Sequence, residues 1–142
     1  MGVARHKGDF FFSDSCTAGY NHGHNGMFYT ATDTEEASDE KGVHYVRDAA
    51  YGKRVNPKKY EVGVDQSDRD EAAEYARRQD GKGYNKVFTF NKIQGENPNT
   101  FNCSQLIWAA YRYTGNNIEL GIKGKAAVYP KELTESKYAH GY

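Results

Sequence analysis

A single domain that combines strands with helices is what this sequence predicts, on three observations. The chain has 142 residues, which suits one domain with one real core. Short apolar runs with two-residue alternation fall in its first half, at Phe10–Phe12, His24–Thr30, Val43–Ala49 and Tyr60–Val64. Apolar spacing of three and four residues, with capping signals, marks helices after Ser67 and after Asn102.

Taken in order, Lys7-Gly8-Asp9 leads into a short buried strand at Phe10-Phe11-Phe12, and residues 13–23 form a polar Gly-, Ser- and Asn-rich loop. On the second strand His24, Gly26 and Phe28 share one face, with Asn25, Met27 and Tyr29 on the other. The acidic run Asp33–Glu40 reads as the exposed tip of a hairpin. On the third strand His44, Val46 and Asp48 share a face, and pairing of the Met27 and Val46 strands would bring Asp48 towards His24. Lys53, Arg54, Lys58 and Lys59 make a basic cluster that reads as solvated loop. Ser67-Asp68-Arg69-Asp70 has the form of a capping box for a helix with an Ala72, Ala73, Tyr75, Ala76 stripe, stopped by Gly81. Val87–Phe90 is a further short strand, and Pro130 begins a short helix through Leu133.

Composition narrows the function. Lys+Arg and Asp+Glu stand at 19 each, which argues against nucleic acid as a partner. Gly81-Lys82-Gly83-Tyr84 lacks the spacing of a phosphate loop. Two cysteines do not make a disulfide framework. Residues 1–7 run into the first strand without an apolar leader segment, and no run has the length of a membrane span, so stable membrane insertion is not expected. The 12 tyrosines and 7 phenylalanines suit glycan or peptide contact, although core and edge filling accounts for most aromatics in a chain of this kind.

The most chemically pointed stretch is Asn102-Cys103-Ser104-Gln105. Asn102 is a good N-cap and Gln105 stands where its reciprocal partner would, so Cys103 opens the helix. Thiols in that position, facing unpaired N–H groups and the helix dipole, lose their proton more easily, and the thiolate is the nucleophile. His24 would then be the general base, Asp48 the group that orients it, and the Cys103 N–H an oxyanion donor. Each has a plain structural reading too: a buried cysteine, a hydrogen-bonded strand histidine and a turn carboxylate. His22 as base and His44 as orienting group stand as alternatives, since they share strand faces with His24 and Asp48. Cys16 ranks below Cys103 because no helix starts behind it. The pair His22 and His24 has the look of two zinc ligands, but no close third or fourth ligand accompanies them, and neither a metal nor another cofactor is expected.

Four segments in order, Lys7-Gly8-Asp9-Phe10-Phe11-Phe12, Gly23-His24-Asn25-Gly26-Met27-Phe28, Val46-Arg47-Asp48-Ala49 and Asn102-Cys103-Ser104-Gln105-Leu106-Ile107-Trp108, resemble the successive motifs of NlpC-like cysteine hydrolases. Histidine before cysteine resembles the circularly permuted, YiiX/YycO-like branch, as do Gly83-Tyr84-Asn85 and Val128–Leu133. The resemblance runs from Lys7 to about Tyr138 and implies a single α+β, papain-like domain over residues 1–142. In it a small antiparallel sheet or half-barrel packs against the nucleophile helix. It also implies Cys103 as nucleophile and His24 as base, with the family's third polar residue, from a Val-Ile-His/Glu-Ala-like segment, mapped onto Asp48.

The expected activity is therefore that of a cysteine amidase or endopeptidase, cutting peptide bonds of peptidoglycan stems through a thioester acyl-enzyme. The resemblance places it in a secreted or cell-envelope setting. The alternatives are a lipid acyl hydrolase or acyltransferase of the same fold, a delivered antibacterial toxin, and a non-catalytic wall-binding module; an inhibitor or immunity protein is left open. A mean hydropathy of -0.92 and the lack of an amphipathic docking helix tilt the expectation towards peptidoglycan, because a lipid enzyme needs an apolar landing surface.

Overall fold

The computed structural model describes residues 1–17 and 19–142. The first strand, β1 (Phe10–Asp14), is followed by a small ribbon of β2 (Cys16–Thr17) and β3 (Tyr20–Asn21) and then by β4 (His24–Phe28). β5 (Thr34–Ser38) and β6 (Gly42–Val46) form the next hairpin, and β7 (Val55–Val62) leads into the first helix, α1 (Gln66–Arg78). β8 (Gly83–Tyr84) pairs in parallel with β9 (Thr100–Phe101) just before the second helix, α2 (Cys103–Arg112). A short α3 (Pro130–Thr134) and β10 (Ala139–Gly141) close the chain. The main sheet has six strands in the order β10-β7-β1-β4-β5-β6, every neighbouring pair antiparallel. The described residues thus form a mixed α+β protein with a six-stranded antiparallel sheet and three α-helices.

The sheet packs its Phe10, Met27, Ala37, Val43 and Val62 side against α2, and α2 in turn against α1. All nine residues from Cys103 to Tyr111 are buried, so this helix is the centre of the core rather than a surface element. α1 is amphipathic, burying Ala72, Ala73, Tyr75 and Ala76 together with Asp68 and exposing Glu71 and Arg78. A second, smaller core of Phe11, Phe28, Ala50 and Ala4 lies on the other side of the sheet.

Several expectations change. The expected 13–23 loop contains the β2–β3 ribbon, and Ala18 within it lies outside the described residues. The strand expected at Tyr60 begins at Val55. α1 starts at Gln66 behind Asp65, whose side chain makes no capping bond, so the Ser67 box does not form. Val87–Phe90 is not a strand, since Asn85–Phe88 is irregular and a turn follows.

The largest correction concerns the acidic run. Thr34–Ser38 is not a hairpin tip but a central strand, with Thr34, Glu35, Glu36 and Ala37 buried. β4 therefore pairs with β5 and not with β6, and β5 stands between the strands of Met27 and Val46. β6 also ends at Val46, two residues before Asp48.

Candidate active site

Cys103 opens α2 behind an intact capping box. The Asn102 side chain accepts the Gln105 N–H at 3.1 Å, and the Gln105 side chain accepts the Asn102 N–H at 3.2 Å. Asn102 is itself fixed by Asn91 Nδ2 at 3.1 Å, and Gln105 by Asn85 Nδ2 at 3.2 Å. The reciprocal cap takes up two backbone donors of the first turn and holds Cys103 at the helix mouth, where the dipole favours negative charge.

His24 is the first residue of β4 and lines one cleft with Cys103. The strand starts there because Gly23, at φ +72°, turns the chain where a Cβ would come within 2.4 Å of the Phe12 ring. The His24 ring rests edge-on against Phe11, with centroids 5.8 Å apart. Its Nε2 lies 2.8 Å from Glu36 Oε1, so Nδ1 is the ring nitrogen that Glu36 does not engage.

The carboxylate beside His24 is Glu36, not Asp48. Glu36 is 2% exposed. It is gripped by Arg54 at 2.9 and 2.7 Å and accepts the Thr34 hydroxyl at 2.5 Å. Gly26 gives it room, because a Cβ at Gly26 would stand 2.7 Å from Glu36 Cγ and 2.4 Å from the Phe11 ring. Asp48 instead sits exposed after β6, in the left-handed region at φ 54°, with its N–H bound to Asp33 Oδ1 at 2.9 Å. It caps a turn because β6 has ended and β5 has taken the place beside β4.

His22 and His44, the alternative base and orienting group, each engage a backbone carbonyl through Nδ1 at 2.9 Å: Gly23 for His22 and Gly42 for His44. His22 nevertheless lines the same cleft as His24 and Cys103. Cys16 is exposed. Among the described residues no group of three or more His, Cys, Asp or Glu is placed to hold a metal ion, and His24 Nε2 is turned to Glu36.

The electrostatics follow from these contacts. Burial alone would depress the His24 pKa, but the Cys103 and Glu36 side chains outweigh it and raise the imidazole to about 9. Burial would raise Glu36, yet its hydrogen bonds and the positive charges of His24 and Arg54 hold it down to about 2. At neutral pH the site thus carries an imidazolium backed by a carboxylate, which Arg54 keeps from drawing off the proton. The cleft holds about 350 Å³ and is walled by Ser15, Ser38, Asp39, Tyr84, Lys86 and Phe88 around His24 and Cys103.

Sequence reasoning missed Glu36 and Arg54. A signal was present: Glu36-Ala37 matches the Glu-Ala ending of the motif that had been mapped onto Asp48-Ala49. Thr34 and Glu35, polar where that motif is apolar, concealed it. Arg54, read as part of a solvated cluster, is partly buried against Glu36.

No family model matches the chain, and no solved structure does. The chain is 33% identical over 132 residues to the uncharacterized protein YycO of Bacillus subtilis (strain 168). That match takes in 93% of this chain and 53% of the relative, so the chain spans about half of the relative's length.

Proposed function

We propose that the protein is a cysteine hydrolase of papain-like, permuted NlpC-like design, in which Cys103 is the nucleophile, His24 the proton carrier and Glu36 the orienting carboxylate. One observation carries the reading: Cys103 at a helix mouth and His24 line one open cleft, and the buried Glu36 holds His24 Nε2 at 2.8 Å. The Cys103 sulfur attacks the substrate carbonyl carbon while the Cys103 N–H donates to the developing oxyanion. The imidazolium of His24 passes its proton to the departing amine, the C–N bond breaks, and a thioester on Cys103 is left. Neutral His24 then takes a proton from water as that water adds to the thioester. Acid is released, and the sulfur and imidazolium return to their starting state. Glu36, clamped by Arg54, keeps Nε2 engaged so that Nδ1 faces the sulfur throughout.

The substrate class we favour is the amide of a peptidoglycan stem peptide. Serine, histidine, aspartate and lysine on the cleft walls suit a polar, charged peptide better than a long acyl chain. Ester hydrolysis on a lipid is the second reading, favoured by apolar side chains exposed beside the cleft, among them Val87 and Phe90. Mass spectrometry of purified peptidoglycan after incubation separates the two. New muropeptide fragments with wild type and none with Cys103→Ala support the amide reading. No fragments, together with fatty acid released from phospholipid vesicles, replace it with the lipid one.

A further inference from the structure

Two loops beside the cleft, residues 86–94 and 121–131, are joined into one surface. Lys92 N–H donates to Ala126 O at 3.0 Å, and Asn91 Nδ2 to Val128 O at 2.8 Å. Val128 N–H donates back to Asn91 Oδ1 at 2.8 Å, and the Phe88 ring stacks on Tyr129 with centroids 5.6 Å apart. This surface carries much of the apolar side-chain area that the protein leaves in water. Val87 is 59% exposed, Phe90 55%, Ile93 67% and Ile122 54%.

Three features set these side chains apart from ordinary scattered exposure. First, the two segments contain five lysines and not one carboxylate, in a chain whose net charge is zero. Lys92 turns inward to Ile122 O and Glu119, while Lys86, Lys123, Lys125 and Lys131 are exposed. Three of the five face an acid, Lys86 with Asp39 at 3.9 Å, Lys92 with Glu119 at 3.0 Å and Lys125 with Glu132 at 3.2 Å, and the positive charge of the surface rests on Lys123 and Lys131. Second, Phe90 holds φ at +62°, a backbone conformation uncommon for a bulky aromatic, and it does so with its ring in water. Third, Lys86 and Phe88 of the same surface line the cleft that contains Cys103, so whatever covers the loops is brought to the mouth of the site.

Exposed apolar side chains and lysines on the same two joined segments match the boundary of an anionic bilayer, where apolar groups enter below the headgroups and ammonium groups meet phosphates. An anionic polymer would satisfy the lysines and leave the apolar side chains in water. We propose that residues 86–94 and 121–131 dock the protein peripherally onto an anionic lipid surface. No helix among the described residues is long and apolar enough to cross a membrane, so the attachment is to one face of it. The proposal concerns where the protein sits and stands apart from the chemistry read for Cys103.

Co-sedimentation with vesicles of phosphatidylcholine alone, and with about 30% phosphatidylglycerol added, tests it. Wild type should bind the anionic vesicles and not the neutral ones. Phe90→Gly/Ile93→Ser and Lys123→Gln/Lys131→Gln should each weaken that binding by roughly tenfold or more. Circular dichroism and the alkylation rate of Cys103 should stay unchanged in both, and the lysine variant keeps the test intact if the apolar one fails to fold. Absence of wild-type binding to anionic vesicles overturns the proposal, as does binding that the folded variants leave unaltered. Concentration-dependent dimerisation of wild type that Phe90→Gly/Ile93→Ser abolishes would assign the surface to a second copy of the chain and overturn it too.

Discussion

Glu36 is the residue on which the site turns. It is an acid in the interior that stays charged because a bidentate arginine, a hydroxyl and an imidazole replace its water. Glu36→Gln should lower turnover by roughly 10²- to 10⁴-fold, since an orienting group sets the tautomer and supports the imidazolium. Asp48→Ala should leave turnover close to wild type, because Asp48 faces solvent beyond the end of β6. Turnover should persist through neutral pH and decline as pH rises through about 9, where His24 loses the proton that the proposed mechanism passes to the leaving group. In Glu36→Gln that decline should begin at lower pH, and a pH–rate profile of both proteins checks it. The same shifts enter stability. His24, raised from 6.5 to about 9, contributes fully below pH 6.5, and the contribution is lost as pH rises through about 9. Glu36, lowered from 4.5 to about 2, contributes above pH 4.5, and that contribution is lost as pH falls through about 2.

At the scale of elements, β5 and the start of α2 deliver the two halves of the site. Gly26→Ala puts a methyl into the Phe11 ring and against Glu36, and should cost about 1–3 kcal/mol while reducing turnover through displacement of Glu36. Asn102→Ala removes the cap and should cost about 1 kcal/mol. Urea unfolding midpoints, with assays on the folded fraction, measure both. The contrast between these elements also explains what was legible in the sequence. The capping box before Cys103 is local, with donor and acceptor three residues apart, so it could be read from Asn102 and Gln105 directly. His24 stood at the start of a clear alternation. β5 could not be found that way, because Thr34-Glu35-Glu36 looks like solvated chain unless the cations that neutralise it are known. Those cations, Arg54 and Arg77, come from 18 and 42 residues further along. With β5 missed, strand pairing was wrong by one place and Asp48 stood in for Glu36. The loops at 86–94 and 121–131 were hidden for a related reason. Their apolar side chains meet through backbone bonds across the fold and follow no helical or strand period.

In the molecule as a whole, β5 carries two buried glutamates whose charge states are opposed. Glu36 is held ionised on one side of the sheet. On the other, burial together with the Asp80 carboxyl raises Glu35 to about 9, against the pull of Arg77 at 3.5 Å. At neutral pH Glu35 therefore holds a proton, and its Oε1 faces Arg77 of α1 at 3.5 Å. Because its folded pKa lies above 4.5, its contribution is complete below that pH and is lost as pH rises through about 9. Glu35→Gln, which needs no proton, should unfold at higher urea than wild type at pH 9 and close to wild type at pH 5. All these parts converge on a buried cysteine brought to an open cleft beside a charged imidazole, and its reactivity is the most direct test. Iodoacetamide labelling at pH 6, followed by intact-protein and peptide mass spectrometry, should modify Cys103 before Cys16 although Cys16 is the exposed thiol, and His24→Ala should slow the Cys103 reaction by at least roughly tenfold. Prior labelling of Cys16, or a Cys103 rate that His24→Ala leaves unchanged, would contradict the account.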